Sequence, residues 1–154
     1  MLEQHTELIE RLLRDSLTRT REFNQALSFT NDGTLYFTVW DKDGTTFFSW
    51  SEREPSTSAD LQTDSDSVAA YVLTTELGSM RAMALPFDVP RFPRKIDQLH
   101  PLWVADKTPL PPALFYHRIE DPSVHFYSNS PSDSVPVTHA MQYDLEDLLK
   151  KYMA

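Results

Sequence analysis

Five histidines are the first residues to test for chemistry: His5, His100, His117, His125 and His139. A zinc protease would set two of them on one helix face as His-Glu-x-x-His. That spacing does not occur. His117 and His125 form the natural pair, because both fall in one strand-rich stretch, ALFYHRIEDPSVHFYS at 113–128. If Ile119 pairs with Val124, His117 sits opposite Phe126 and His125 opposite Arg118. The two rings then point to opposite faces of the strand pair and cannot share a metal. A one-residue change of register would reverse this.

Carboxylates are the next candidates. Asp41 and Asp43 fall in Asp-Lys-Asp-Gly, which lacks the later ligands and closing glutamate of a calcium hand. Turn chemistry already accounts for Asp and Gly there. Asp60, Asp64 and Asp66 gather before an apolar run, where acids cap a helix and offset its dipole. Serines are plentiful, but no Gly-x-Ser-x-Gly elbow exposes one as a nucleophile. Arg91, Arg94 and Lys95, beside Phe92, make the densest basic spot, and a solvated loop explains them. With three glycines against eleven prolines, a glycine-lined phosphate loop is close to excluded. The absence of cysteine removes disulfides, thiol nucleophiles and thiolate metal sites. No acid, base and electrostatic stabiliser assemble into one site, so the expectation is a non-enzyme without cofactor.

The elements that would position any site follow from apolar spacing. Leu2, Leu8, Ile9, Leu12, Leu13, Leu17 and Phe23 recur at three- and four-residue steps, which predicts a helix over 3–26. TLYFTVWDKDGTTFFSW, residues 34–50, alternates about a four-residue loop, Asp41-Lys42-Asp43-Gly44, and predicts a hairpin. Its alternation puts Leu35, Phe37 and Val39 on a core face and Tyr36, Thr38 and Trp40 on the other. Residues 51–66 are polar and predict a loop. Asp66 then caps a helix from Ser67 that Gly78 stops. Residues 79–85 predict a short strand.

Seven of the eleven prolines fall in 86–112, together with Phe87, Val89, Phe92, Ile96, Leu99, Leu102, Trp103 and Val104. So many large apolar groups predict an ordered crossover on the body of one domain, not a flexible linker. A second hairpin spans 113–119 and 124–128. Pro131 and Pro136 bracket a loop, and 141–152 predicts a last helix. The two hairpins align without a gap at an offset of 79 residues, as an old duplication or as convergence on one aromatic pattern.

These elements predict an α+β fold. Residues 1–154 form a single two-layer domain, its antiparallel sheet built from two aromatic hairpins and covered by N-terminal, middle and C-terminal helices. A chain of 154 residues buries roughly two-thirds of its unfolded surface and needs no crosslink. The net charge of −9 disfavours nucleic acid and anionic bilayers. No apolar run approaches a membrane span, and MLEQHTELIERLLRD carries no signal core, so a cytoplasmic protein is the default expectation.

Function is then expected in recognition. The candidate partner-binding residues are Trp40, Trp50, Trp103, Tyr36, Tyr116 and Tyr127, because rigid rings bury much area at small entropy cost. The partner expected is another protein, bound by a small chaperone, immunity or specificity protein, and a homodimer is compatible with the apolar helix stripe. The alternatives are a small hydrolase-like enzyme with a His/carboxylate pocket, and an acidic inhibitor of a nucleic-acid-binding protein.

Overall fold

Alternating apolar residues need a covered face, and here eight strands share one. The computed structural model describes residues 2–13, 19–83, 88–109 and 114–153. A 3-10 turn leads into helix α1 (Thr6–Leu13). Strands β1 (Arg19–Phe23), β2 (Ala26–Thr30), β3 (Leu35–Lys42), β4 (Thr45–Glu52) and β5 (Leu61–Thr63) follow. Helix α2 (Asp66–Met83) precedes β6 (Trp103–Lys107), β7 (Leu114–Arg118) and β8 (His125–Ser128), and α3 (Pro131–Ala140) and α4 (Leu145–Met153) end the described chain. The strands form one antiparallel sheet in the order β1-β2-β3-β4-β5-β8-β7-β6. This is an α+β domain with helices flanking the sheet, as the hairpins and helices of the sequence predict.

One row of strand residues carries the core. Leu27, Val39, Phe48 and Leu61 face one another through successive pairings. Phe29, Phe37 and Trp50 form the adjacent row on the same face. Ile9 and Leu12 of α1, Val68, Val72, Leu73 and Leu77 of α2, Val137 of α3 and Leu149 of α4 join them in one buried cluster.

The N-terminal helix is shorter than its periodicity suggests. It ends at Leu13, residues 14–18 lie outside the described residues, and 19–30 are a hairpin. Asn24 and Gln25 turn it with φ of 46° and 66°. The stretch RTREF-NQ-ALSFT is rich in Thr and Phe, and pairing with β3 plus burial of Phe29 outweighs a helical spacing that Phe23 met by coincidence.

Helix α2 runs through Gly78 instead of stopping there. The Tyr152 ring lies against that glycine, and a Cβ would sit 2.6 Å from Tyr152 Cδ1. Gly78 is thus a packing site, and the helix takes in residues 79–83, which the sequence suggests as strand; 84 and 85 lie outside the described residues. At its start Ser65 Oγ, not Asp66, accepts a hydrogen bond, from the Val68 N–H.

Residues 131–140 form a helix, not a loop. Pro131 suits a first helical turn, where the N–H it lacks needs no partner. Pro136 removes the donor that would meet the Ser132 carbonyl, and Arg94 Nη1 donates to that oxygen instead at 3.0 Å. The last helix begins at Leu145, not 141, with Asp144 Oδ2 accepting from the Glu146 N–H at 3.1 Å.

Within the 51–66 loop the structure adds β5. Three residues are too few to show a period, yet they join the two halves of the sheet: Phe48 pairs with Leu61, and Leu61 with Ser128. In the proline-rich crossover, β6 is an edge strand, the position proline-flanked strands tolerate. Residues 86–87 and 110–112 of that crossover, and 113 of the second hairpin, lie outside the described residues.

The gapless alignment of the two hairpins does not survive their registers. Phe37 and its counterpart Tyr116 both face the core. Phe47 is half-buried on the outer face, whereas its counterpart Phe126 is fully buried. The returning strands are out of phase because an even number of residues, two, separates the pair Lys42–Thr45 in the first hairpin and an odd number, seven, separates the pair His117–His125 in the second.

Candidate partner-binding face

The side of the sheet away from the helices carries a line of rings. Register builds it strand by strand. Trp40 pairs with Phe47, Phe47 with Gln62, Gln62 with Tyr127, Tyr127 with Phe115, and Phe115 with Asp106. Directly paired residues share a face, so these six form one row across six strands. At about 4.8 Å per strand the row is about 24 Å wide. Trp40 and Phe47 stack with centroids 5.5 Å apart and planes 10° from parallel. Phe115 and Tyr127 lie 4.8 Å apart. All four rings are half-buried, and none joins the buried clusters shared with the helices.

Beside this row the two histidines meet. His117 pairs directly with His125, one register step from the expected pairing, so both rings are on the same face. The long connection made either parity possible, and Arg118 N–H bonding to the Val124 carbonyl, which leaves five residues in the turn, selects this one. Phe115 packs against both rings, at 5.2 and 5.3 Å. His117 Nε2 lies 3.2 Å from Asp106 Oδ2, and His125 Nε2 lies 2.8 Å from Asp64 Oδ1. Their Nδ1 atoms approach the Arg118 and Pro122 carbonyls at 3.3 and 3.0 Å. With oxygen acceptors at both nitrogens, each ring is anchored rather than turned toward a shared ion. Among the described residues no group of three or more His, Asp or Glu side chains is placed to hold a metal.

The six ring residues singled out in the sequence divide. Trp40 and Tyr127 belong to the outer row. Tyr116, Trp103 and Tyr36 are 0%, 3% and 8% exposed, too buried to anchor a partner. Tyr116 stacks on Phe126, and Trp103 packs on the same ring, because both occupy inward positions of their strands. Trp50 is half-buried at the rim of the core, apart from the outer row. Sequence reasoning missed Phe47 and Phe115. A two-residue Asp43-Gly44 turn sets Trp40 opposite Phe47, so the first was readable. Asp43 and Gly44 both have positive φ, 53° and 84°. No comparable signal fixed Phe115.

The other polar candidates disperse. Asp60 Oδ2 accepts the Trp50 backbone N–H at 2.8 Å, Asp64 holds His125, and Asp66 opens α2. His100 and His139 meet edge to face at 5.3 Å, and burial first, then His139, lowers the pKa of His100. Among the described residues no helix is long and apolar enough to cross a membrane.

Sequence reasoning also missed Glu76. It lies on α2, with Trp50 Nε1 donating to its Oε2 at 2.9 Å. Burial pushes its carboxyl up from 4.5 to about 7; Asp133 adds to the rise, and the Trp50 hydrogen bond and Arg94 oppose it. The folded chain keeps this proton up to about pH 7, whereas the unfolded chain releases it near its ordinary value. Stability that is fully present below about pH 4.5 is therefore lost as pH rises to about 7, by at most about 3 kcal/mol. Denaturant melts across that range should show this slope, and Glu76→Gln should reduce it to the share that Asp133, also raised by burial, contributes.

No family model matches this chain, and neither does any curated protein. Among solved structures it is similar to "Rv3902c from M. tuberculosis", with a TM-score of 0.73 and 13% identity over 97% of this chain and 88% of that one. At that identity the likeness shows a shared fold and nothing of function.

Proposed function

We propose that this chain is a non-catalytic protein-interaction module that covers a partner protein with the outer face of its sheet, in the manner of a small chaperone, immunity or specificity protein. The observation that carries the reading is the cross-sheet row Trp40–Phe47–Gln62–Tyr127–Phe115, four half-buried rings held on paired strands. Rings fixed on a sheet lose little freedom on binding and bury large areas, which is how interface hot spots work. The flanking His117–Asp106 and His125–Asp64 pairs supply a polar rim.

The test uses tagged wild type, a Trp40→Ala/Phe115→Ala variant and a Leu35→Ala control, captured against native lysate with quantitative mass spectrometry. Wild type and Leu35→Ala should retain one stoichiometric partner at high salt. Each truncated hot-spot ring costs about 2 kcal/mol or more, about thirty-fold in affinity, so the double variant should lose that partner while remaining folded. Equal recovery by all three proteins, or no stoichiometric partner from cells expressing candidate partners, overturns the reading.

A further inference from the structure

Trp50 and Glu76 meet at a place separate from the outer row. A cavity of about 370 Å³ opens between the β3–β4 strands and α2. Its walls include Leu35, Tyr36, Phe37, Trp50, Met80 and Met83. Its volume is within the range of small-molecule sites. The Glu76 carboxyl also lines it, held in place by the Trp50 indole. Among the described residues no Lys or Arg lines this cavity. Glu76, Ser79 and Met83 also line a second cavity, of about 600 Å³, where Arg91 and Arg94 are found with Asp133.

We propose that this cavity binds an organic cation, an ammonium or guanidinium group on an apolar stem, with the stem against Trp50, Met80 and Met83 and the charge on Glu76. Aromatic faces attract cations through their quadrupole, and a partly desolvated carboxylate supplies the directed hydrogen bond. An anionic ligand would meet no counter-charge on these walls. The cation comes either from a free amine or from a Lys or Arg side chain of a polypeptide, and the chemistry is the same for both. The site shares no ring with the outer row, so it stands or falls apart from the reading of that face.

Binding is coupled to the proton on Glu76. The groups facing that carboxyl are the Trp50 indole from β4, Asp133 from α3, Arg94 from the segment before β6 and Tyr152 from α4, and the carboxylate residues Asp32, before β3, and Glu52 of β4 line the same cavity. Asp133 is itself raised, by burial first and then by Asp60, so its proton moves in the same direction. A cation needs the ionised carboxylate, which is the minor form below about pH 7. Affinity should therefore fall about tenfold between pH 8 and pH 6.

The experiment follows the Trp50 indole N–H of ¹⁵N-labelled protein by NMR, assigned with Trp50→Phe. It is titrated with n-hexylammonium, with a Gly-Lys-Gly peptide blocked at both ends, and with hexanoate. Saturable shifts with either cation, weakened about tenfold or more in Glu76→Gln and absent with hexanoate, are expected. Glu76→Gln keeps an acceptor for the indole, and its melt reports whether the fold is intact. Saturation by hexylammonium alone marks a small-molecule site, and saturation by the peptide alone marks a side-chain receptor. No saturable shift with either cation, equal binding of hexanoate, or binding that survives Glu76→Gln overturns the proposal.

Discussion

Phe37→Ala should lower the stability of this protein by about 3–5 kcal/mol, the range for emptying a buried aromatic position. Phe37 is 1% exposed. Its ring stacks on Phe48 at 5.8 Å and packs against Trp50 at 5.4 Å and Phe29 at 6.3 Å. Removing it opens a void that three rings on the two neighbouring strands cannot fill by small shifts. Trp40, three residues along the same strand, points the other way and touches Phe47 at a half-buried surface. Trp40→Ala should cost only about 1 kcal/mol. Denaturant melts with matched slopes compare the two directly. Equal losses would overturn the assignment of core and outer faces.

Gly78→Ala should destabilise the protein by about 1–3 kcal/mol, against the usual direction of this change in a helix. At an exposed interior helix position, replacing Gly by Ala gains up to about 1 kcal/mol. Here the added methyl would sit 2.6 Å from Cδ1 of Tyr152, which is 1% exposed, and it meets the root of that side chain rather than a flexible end. The steric term therefore decides the sign. In a double-mutant cycle with Tyr152→Ala most of the penalty for the methyl should disappear, because the ring atoms it meets are gone and only Cβ, 2.9 Å away, remains. A Gly78→Ala protein that melts at or above the wild-type temperature would show that α2 and α4 are not locked at this contact.

The first hairpin was legible because every local signal agreed. Alternation, β-branched and aromatic residues and an Asp-Lys-Asp-Gly reversal all specified a hairpin; the structure narrows the reversal from four residues to Asp43-Gly44, which sets Trp40 opposite Phe47. The second hairpin shows the limit. Its alternation was equally clear, but the longer connection left the parity open, and a single step moved His117 and His125 from opposite faces to one. Helix α3 was hidden for a different reason. Its two prolines signal a loop, and the signal fails because Pro131 occupies the first turn and Arg94, distant in sequence, satisfies the carbonyl that Pro136 leaves.

What the amino-acid order determined by itself was the class of fold, the cysteine-free acidic character and the inward faces of the strongest strands. Those depend on periods of two or about four residues, which a chain carries locally. Which rings line up on the outer face, that β5 joins the halves of the sheet, and that Trp50 holds Glu76 against an apolar cavity were decided only by tertiary structure. Each of these depends on registers and burial set by contacts between residues far apart in the chain, and no local period encodes them.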